Sequence, residues 1–488
     1  MSTTFPSFAK QQDNLVYGYI AAAGAILQLI IFKYCYPYAD FFSDSYSYIF
    51  AAARKMDVNI WPVGYSKFLW LFHQISSSDT ALVAFQYFFV QGATFYLFLS
   101  LRYLYEPSRR TSRIIFICLF FDPLLLYLSN YISSDALFLG LSIWWATTLL
   151  WIVHRPTPGL VFVQALLIGI LFTLRYNALY YPIVGAIVFF FSRYKIPWKA
   201  AGILLPFLFI IAFVQYTRES AFQITGHRQF SIFGGWQLAN NALYMYPFID
   251  VQETPPVECR EFDTLVKSYF SHASEDMKSV TPREGAYYIR QPIAPLKQYS
   301  ARFSSEKDYE YNGLISWGAP APVYKRYGQF LITHHPVAFF RYFILPNILN
   351  YLLPPLEKLE VYNLGSNKVS DIAVQWFHYP HHSLHAASWT AQGIILLLFP
   401  TIFMLLNLYF IYILIRWIRE RKKMAKDSLF DQAVAVVILI LLINAGFSIL
   451  ASPVVFRYQV FPMILSFCFL LLIWERVDKA LPAGDRRS

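Results

Sequence analysis

The chain has 488 residues and a formal net charge of +11. Hydrophobic residues make up 57% of it, aromatic residues 19% and charged residues only 14%, where a soluble globular chain carries about 25% charged. That composition excludes a soluble core with a polar shell. The basic residues argue against nucleic acid as a partner, because many lie in short loops between apolar runs. Cys35, Cys118, Cys259 and Cys468 offer neither metal spacing nor a disulfide framework. The polar start, Met1 to Asn14, runs into a long apolar stretch with no small-residue cleavage site, which reads as a membrane helix and not a removed signal.

A span needs about 20 mostly apolar residues. In chain order such segments fall at 15–36, 80–103, 113–131, 135–153, 159–174, 177–192, 198–217, 390–415, 430–450 and 455–474. The fold class is therefore an all-α polytopic membrane protein of about ten helices. Its first outer loop, 37–79, contains a helix over 47–56 with Arg54 and Lys55 at its polar end, suited to lying along the membrane surface. Residues 1–217 form an N-terminal module of seven spans, 218–335 a large outer-side loop domain of mixed structure, 336–389 an interfacial or re-entrant helix and loop, and 390–488 a C-terminal module of three spans and a tail. The segment 336–353 is nearly long enough to cross. It holds Arg341 and Pro346, and counting it as a span would put the basic loop 416–428 on the wrong side.

Orientation follows from the short basic loops. Arg102, Arg109, Arg110 and Arg113; Arg193, Lys195 and Lys199; Arg416, Arg419, Arg421, Lys422, Lys423 and Lys426; and Arg476, Lys479, Arg486 and Arg487 all fall on one side when the N-terminus is cytoplasmic. Both termini are then expected inside a cell membrane, with a bacterial inner membrane as the expected place.

The candidates for chemistry gather at the opposite rim. Asp40 and Asp44 follow the first span four residues apart, and on a helix they would share a face. A half-shielded carboxylate there suits a general base; the plainer reading is two solvated loop acids. Asp135 follows Ser133 and Ser134 at the start of the fourth span, where an acid also favours the helix dipole. Arg175 sits at a tight outer turn and Arg457, before Tyr458, at the outer start of the last span. Arginine grips phosphate through two parallel hydrogen bonds, although snorkelling to headgroups explains the same positions. Asp122, before Pro123 in the third span, reads as the repair of a proline break. His378, His381, His382 and His385 have partial metal spacing, but no Cys, Asp or Glu beside them completes a site. No metal ligands are assigned. No cofactor is required by the residues, and a divalent metal is left open.

Together these features resemble the GT-C class of polytopic glycosyltransferases, nearest to the branch of protein O-mannosyltransferases and lipid A aminoarabinose transferases. The resemblance rests on Asp44, on Tyr48 with Ala51, Ala52 and Ala53, on Pro62 with Tyr65, on Asp135, and on Arg457 with Tyr458, covering chiefly 30–190 and the last span. It departs where Ser45 follows Asp44 in place of a second acid, and where Trp61 stands before Pro62 in place of a basic residue. Lys67, Arg175 or Arg457 are left to make that residue's phosphate contact. The resemblance implies transfer of a sugar from a polyprenyl-phosphate donor to an acceptor hydroxyl of a glycan, lipid or protein outside the cytoplasm. It implies Asp44 as base, Asp40 and Asp135 as further acids, and inversion by direct displacement. Tyr48, Trp236, Asn240 and Trp317 are the sugar or acceptor contacts in this reading, with plain packing as the alternative for the last three. A polysaccharide polymerase or O-antigen ligase would share lipid-linked sugars and outer arginines without needing a first-loop acid. A transporter or flippase would show internal symmetry and paired broken helices, and the sequence shows neither.

Overall fold

The computed structural model describes residues 4–272, 275–421, 427–451 and 453–480. Lys422, Lys423, Lys426, Arg486 and Arg487 of the expected basic clusters lie outside the described residues. Among those described there is no strand, only two isolated bridges. The principal helices are α1 (Gln12–Cys35), α2 (Ser43–Ala53), α3 (Gly64–His73), α4 (Asp79–Tyr105), α5 (Arg109–Phe120), α6 (Pro123–Asn130), α7 (Asp135–His154), α8 (Pro158–Leu174), α9 (Tyr181–Phe191), α10 (Ile196–Thr225), α11 (Ile232–Leu243), α12 (Arg260–Ser271), α13 (Ala321–His334), α14 (Leu345–Leu352), α15 (Phe399–Glu420), α16 (Ser428–Ala451) and α17 (Val460–Ala480). Eight helical segments are long and apolar enough to cross a membrane: α1, α4, the α5–α6 pair, α7, α10, Ala391–Glu420 including α15, α16 and α17. The chain is a polytopic helical membrane protein.

All ten expected segments are helical, but the fifth and sixth are shorter apolar helices, Pro158–Leu174 and Tyr176–Phe191. The 17 residues of α8 span only about 25 Å, less than the roughly 30 Å hydrocarbon core. The turn that follows carries Arg175. The third span is broken. Phe121 closes α5, and the Asp122 carboxylate accepts from the Leu124 N–H at 2.9 Å to start α6 behind Pro123. Asp122 is thus a cap that satisfies a donor the break exposes.

Two ends of the bundle differ in chemistry. At one end Arg102 is hydrogen-bonded to Asn14, Glu475 accepts from the Ser108 N–H at 3.0 Å, and Arg476 pairs with Asp427 at 2.9 Å. The other end carries the long connections. Residues 226–335 have a buried cluster of their own, centred on Trp236, Phe262, Tyr288, Tyr324 and Tyr327. Its described regular elements are helices joined by irregular loops. It also begins later than 218, because α10 continues to Thr225 and stops at Gly226, whose φ of +74° ends the helix. Helices α11 and α13 cross almost in backbone contact: a Cβ on Gly235 would lie 2.1 Å from the Ala321 carbonyl oxygen.

The segment 336–353 forms one helical run, Pro336–Phe339, a π turn over Phe340–Ile344, and α14. Pro346 lacks the N–H that a regular turn would use, and the π turn just ahead absorbs the change in register. Val337, Phe340, Leu345 and Leu349 are exposed, whereas Phe343, Asn347 and Asn350 are buried. Asn347 Nδ2 donates to the Ile449 carbonyl at 3.3 Å, docking the helix on the end of α16. An apolar exposed face with a docked polar face suits a helix lying at the bilayer surface.

Because Gly235 has no room for a side chain, Gly235→Val is expected to cost about 1–3 kcal/mol. Limited proteolysis of the purified protein should show earlier cleavage within 226–335, while the transmembrane fragments persist.

Candidate functional site

The site is assembled where the first loop, the turn before α7, the turn after α8 and the start of α17 meet. Four backbone devices fix it. Asp40 forms a parallel bridge with Tyr131: its N–H donates to the Asn130 carbonyl at 2.8 Å, and its carbonyl accepts from Ile132 at 3.1 Å. This ties the first loop to the turn bearing Ser133, Ser134 and Asp135. Gly64 opens α3 so close to Thr173 that a Cβ would lie 2.5 Å from the Thr173 carbonyl oxygen. That contact presses the same loop onto the end of α8, beside Arg175. The Phe456 N–H donates to the Pro355 carbonyl at 2.9 Å, so residues 354–358 lie against the start of α17. Finally, Tyr131 Oη and Gln392 Nε2 both donate to the Lys358 carbonyl, at 2.6 and 3.3 Å.

Asp135 is the centre. One carboxylate oxygen is paired with Arg175. The other accepts from Arg457 Nη1 at 3.1 Å and from Ser133 Oγ at 2.8 Å. Asp135 and Arg457 side chains are each only 5% exposed and Arg175 14%, so the pairs are desolvated and their loss would leave buried charge. Arg175 also lies 4.0 Å from the Tyr458 ring centroid, and Arg457 Nη2 donates to Tyr458 Oη at 2.9 Å. Arg457 reaches Glu357 as well, at 3.6 Å, and Glu357 accepts from Arg290 at 3.0 Å.

A second pair adjoins the first. Asp44, in the first turn of α2, where the helix dipole favours an acid, accepts from Lys358 Nζ at 3.1 Å and from Ser43 Oγ at 3.2 Å. Phe42 links the two halves: its ring centroid is 3.7 Å from Lys358 Nζ and 5.4 Å from Arg457 Cζ, both favourable cation–π distances. Burial, opposed by Asp44, holds the Lys358 amine below its ordinary range, with the neighbouring Arg457 charge adding to the effect.

A cavity opens beside the arginines. Its wall includes Asp135, Arg175 and Arg457, then Tyr180, Asn444 and Ser448 further along. Tyr180 Oη donates to Asn444 Oδ1 at 2.9 Å, and Asn444 Nδ2 to Gln459 Oε1 at 3.2 Å, so the far wall is neutral and hydrogen-bonding. Arg457 Nε is buried and makes no hydrogen bond. A buried unpaired guanidinium N–H is costly and supplies a donor for an anionic ligand.

The expected residues divide accordingly. Asp44, Asp135, Arg175, Arg457 and Tyr458 come together. Asp40 does not share a helix face with Asp44, since α2 begins only at Ser43; it is 2% exposed and its Oδ1 accepts from the Asn363 N–H at 2.9 Å. Burial pushes its carboxyl well above the ordinary range, against the pull of that bond and of Lys358. Lys67 lies elsewhere, paired with Asp57 at 2.6 Å. Tyr48 is buried against Tyr65 with ring centroids 5.0 Å apart, which leaves no face for a sugar. Trp236 and Asn240 are fully buried in the core of 226–335, where Trp236 donates to the Trp317 carbonyl and Asn240 to the Gly285 carbonyl. Only Trp317 of that group is partly exposed, and Lys297 Nζ already covers its ring at 4.4 Å. Of the histidines, His382 pairs with Asp371 at 2.6 Å. Among the described residues no group of three or more His, Cys, Asp or Glu side chains is gathered as metal ligands are.

The sequence reading missed Glu357 and Lys358. Their signal was present: two charges directly after an apolar helix and a Pro354-Pro355 stop, at the rim where the arginines were expected. No family model, no curated protein and no solved structure matches this chain.

Two stability outcomes follow. Asp135→Ala strands two buried arginines and should cost about 3–5 kcal/mol, read as a large drop in thermal midpoint in detergent that phosphate-bearing lipid partly restores. For Asp40 the sign runs the other way. The folded carboxyl binds its proton more tightly than the unfolded one, so its contribution is greatest below about pH 4 and is lost as pH rises through the unfolded value toward the folded one. Asp40→Asn keeps the acceptor for Asn363 without the charge. Its midpoint relative to wild type should rise steadily from pH 4 upward; a flat difference contradicts the assignment.

Proposed function

We propose that this chain is a membrane glycosyltransferase of the GT-C class, moving a sugar from a polyprenyl-phosphate donor to an acceptor hydroxyl on the outer side of a cell membrane. The observation that carries the reading is the convergence of Asp135, Arg175 and Arg457, from three separated parts of the chain, on the wall of one cavity, with the Asp44–Lys358 pair adjoining them through Phe42. Arg102, Arg109, Arg110 and Arg113 lie at the other end of the bundle, which supports a cytoplasmic placement for that end and for both termini.

In this reading the donor phosphate lies against Arg457 and Arg175. As the acceptor oxygen bonds to the anomeric carbon, the bond from that carbon to the phosphate oxygen breaks and its electron pair stays on the phosphate. The growing charge is met by guanidinium groups already held in place and shielded from water, which is where such interactions act most strongly. The acceptor proton passes to Asp44, the most accessible of the acids at the centre, with a side chain 20% exposed. Asp135 is committed to two arginines and Ser133, so it serves to position them. Direct displacement inverts the anomeric centre. Glycan, lipid and protein acceptors all supply the required hydroxyl, and the segment 226–335, tied to the site through Arg290 and Glu357, would cover one.

Deletion of the gene should cause a specific polyprenyl-linked sugar to accumulate, seen by mass spectrometry of lipid extracts and surface glycans. Wild type should clear it, and Asp44→Asn should lower transfer by about 10²–10⁴-fold while still melting in one cooperative transition. Full activity in the Asn variant would favour a polymerase or ligase mechanism that needs no first-loop base.

A further inference from the structure

The Lys358 side chain lies at a junction that the proposed chemistry has not used. Its Nζ is 3.1 Å from Asp44 and 3.7 Å from the Phe42 ring centroid, and its side chain is only 13% exposed. Its backbone is clamped by Tyr131 Oη and Gln392 Nε2, and Gln392 also donates to Tyr131 Oη at 3.0 Å. Glu357 ahead of it has a φ of +55°, a left-handed turn that aims the two neighbouring side chains to different partners, Glu357 to the arginines and Lys358 to Asp44. With the main chain fixed, only the flexible end of the lysine can move.

The charges make that movement purposeful. Arg175, Arg290, Lys358 and Arg457 face Asp44, Asp135 and Glu357, so cations exceed these carboxylates by one (four against three). Lys358 and Arg457 are like charges, both within cation–π reach of one phenyl ring. An anion bridging them would relieve that repulsion. It would also draw the ammonium away from Asp44, because a phosphate oxygen competes directly with a carboxylate oxygen for the same donor.

Resting on the glycosyltransferase reading, we propose that Lys358 is a phosphate-binding group held in reserve: it occupies Asp44 while the site is empty and turns to the phosphate when the lipid donor arrives, releasing Asp44 to accept the acceptor proton. The contact keeps the base engaged until a donor is in place. It makes donor binding precede deprotonation of the acceptor, and it places three cations, Arg175, Lys358 and Arg457, around the leaving phosphate.

The test measures binding of a polyprenyl monophosphate without sugar to the full-length protein in lipid nanodiscs, so that no turnover is needed. Wild type, Lys358→Gln, Lys358→Arg and the double variant Lys358→Gln/Asp44→Asn are compared, with thermal midpoints recorded for each. The expected result is a loss of affinity of about tenfold or more in Lys358→Gln, partial recovery in Lys358→Arg, and no return to wild-type affinity in the double variant. If Lys358 serves only to neutralise Asp44, removing both charges restores wild-type affinity, and the proposal is overturned while the donor reading stands. If wild type itself does not bind the probe, the donor reading fails and takes this assignment with it. Lys358→Arg, which keeps the charge, separates a folding defect from a lost ligand contact: a variant that melts as wild type yet binds the probe no better than Lys358→Gln also contradicts the proposal.

Discussion

The structure depends on one carboxylate shared by two arginines. Asp135 opens α7, Arg175 ends α8 and Arg457 precedes α17, and nothing local in the sequence brings these three together. Each charge alone would be expensive to bury. Paired, they become a cross-brace that ties three helices together; Ser133 and Tyr458 add hydrogen bonds to it, Glu357 adds a charge 3.6 Å from Arg457, and Arg457 Nε is left without a partner. Such a brace is seldom the most stabilising use of the volume, because desolvation offsets much of the attraction. Its presence in a chain with so few charges is therefore an argument for function. A site that must meet a developing negative charge needs its cations oriented before the reaction starts, and ion pairing to a fixed acid does that orienting.

Around this brace the two layers of the protein have different tasks. The apolar helices form the frame: α8 ends at Arg175 and α7 begins at Asp135, so the two helix ends meet in an ion pair. The connections at the loop-bearing end bring chemistry. The first loop contributes Asp44 and Phe42, and residues 354–358 contribute Glu357 and Lys358 after a helix that lies with its apolar face outward. The same end carries the cluster of 226–335, joined to the brace through Arg290 and Glu357.

Much of the architecture was legible in the sequence because apolar length is a strong and local signal. The ten apolar segments all turn out helical, and the arginines at 175 and 457 stood out because positive charge is unexpected in short outer turns. The site's inner division was not legible. Asp40 and Asp44 look equivalent at four-residue spacing, yet the helix begins between them, and a backbone bridge buries Asp40 while Asp44 keeps contact with water. Trp236 and Asn240 follow two glycines in a stretch expected to meet a sugar, but Gly235 serves the close approach of α11 to α13, and both side chains are buried in the core of that segment. Tyr48 looked like a rim aromatic, and period alone could not tell which face of α2 would turn inward. Lys358 was overlooked because its signal, two charges after an apolar helix and a proline pair, does not name a partner, and Asp44 lies more than 300 residues away.

The most direct measurement of the central claim is a cryo-electron microscopy map of the protein in nanodiscs with a polyprenyl monophosphate bound. The account predicts a phosphate within hydrogen-bonding distance of Arg457 Nε and of Arg175, with Asp135 still clasped between the two guanidinium groups. A headgroup bound elsewhere on the surface, with the cavity beside Arg457 empty, would contradict it.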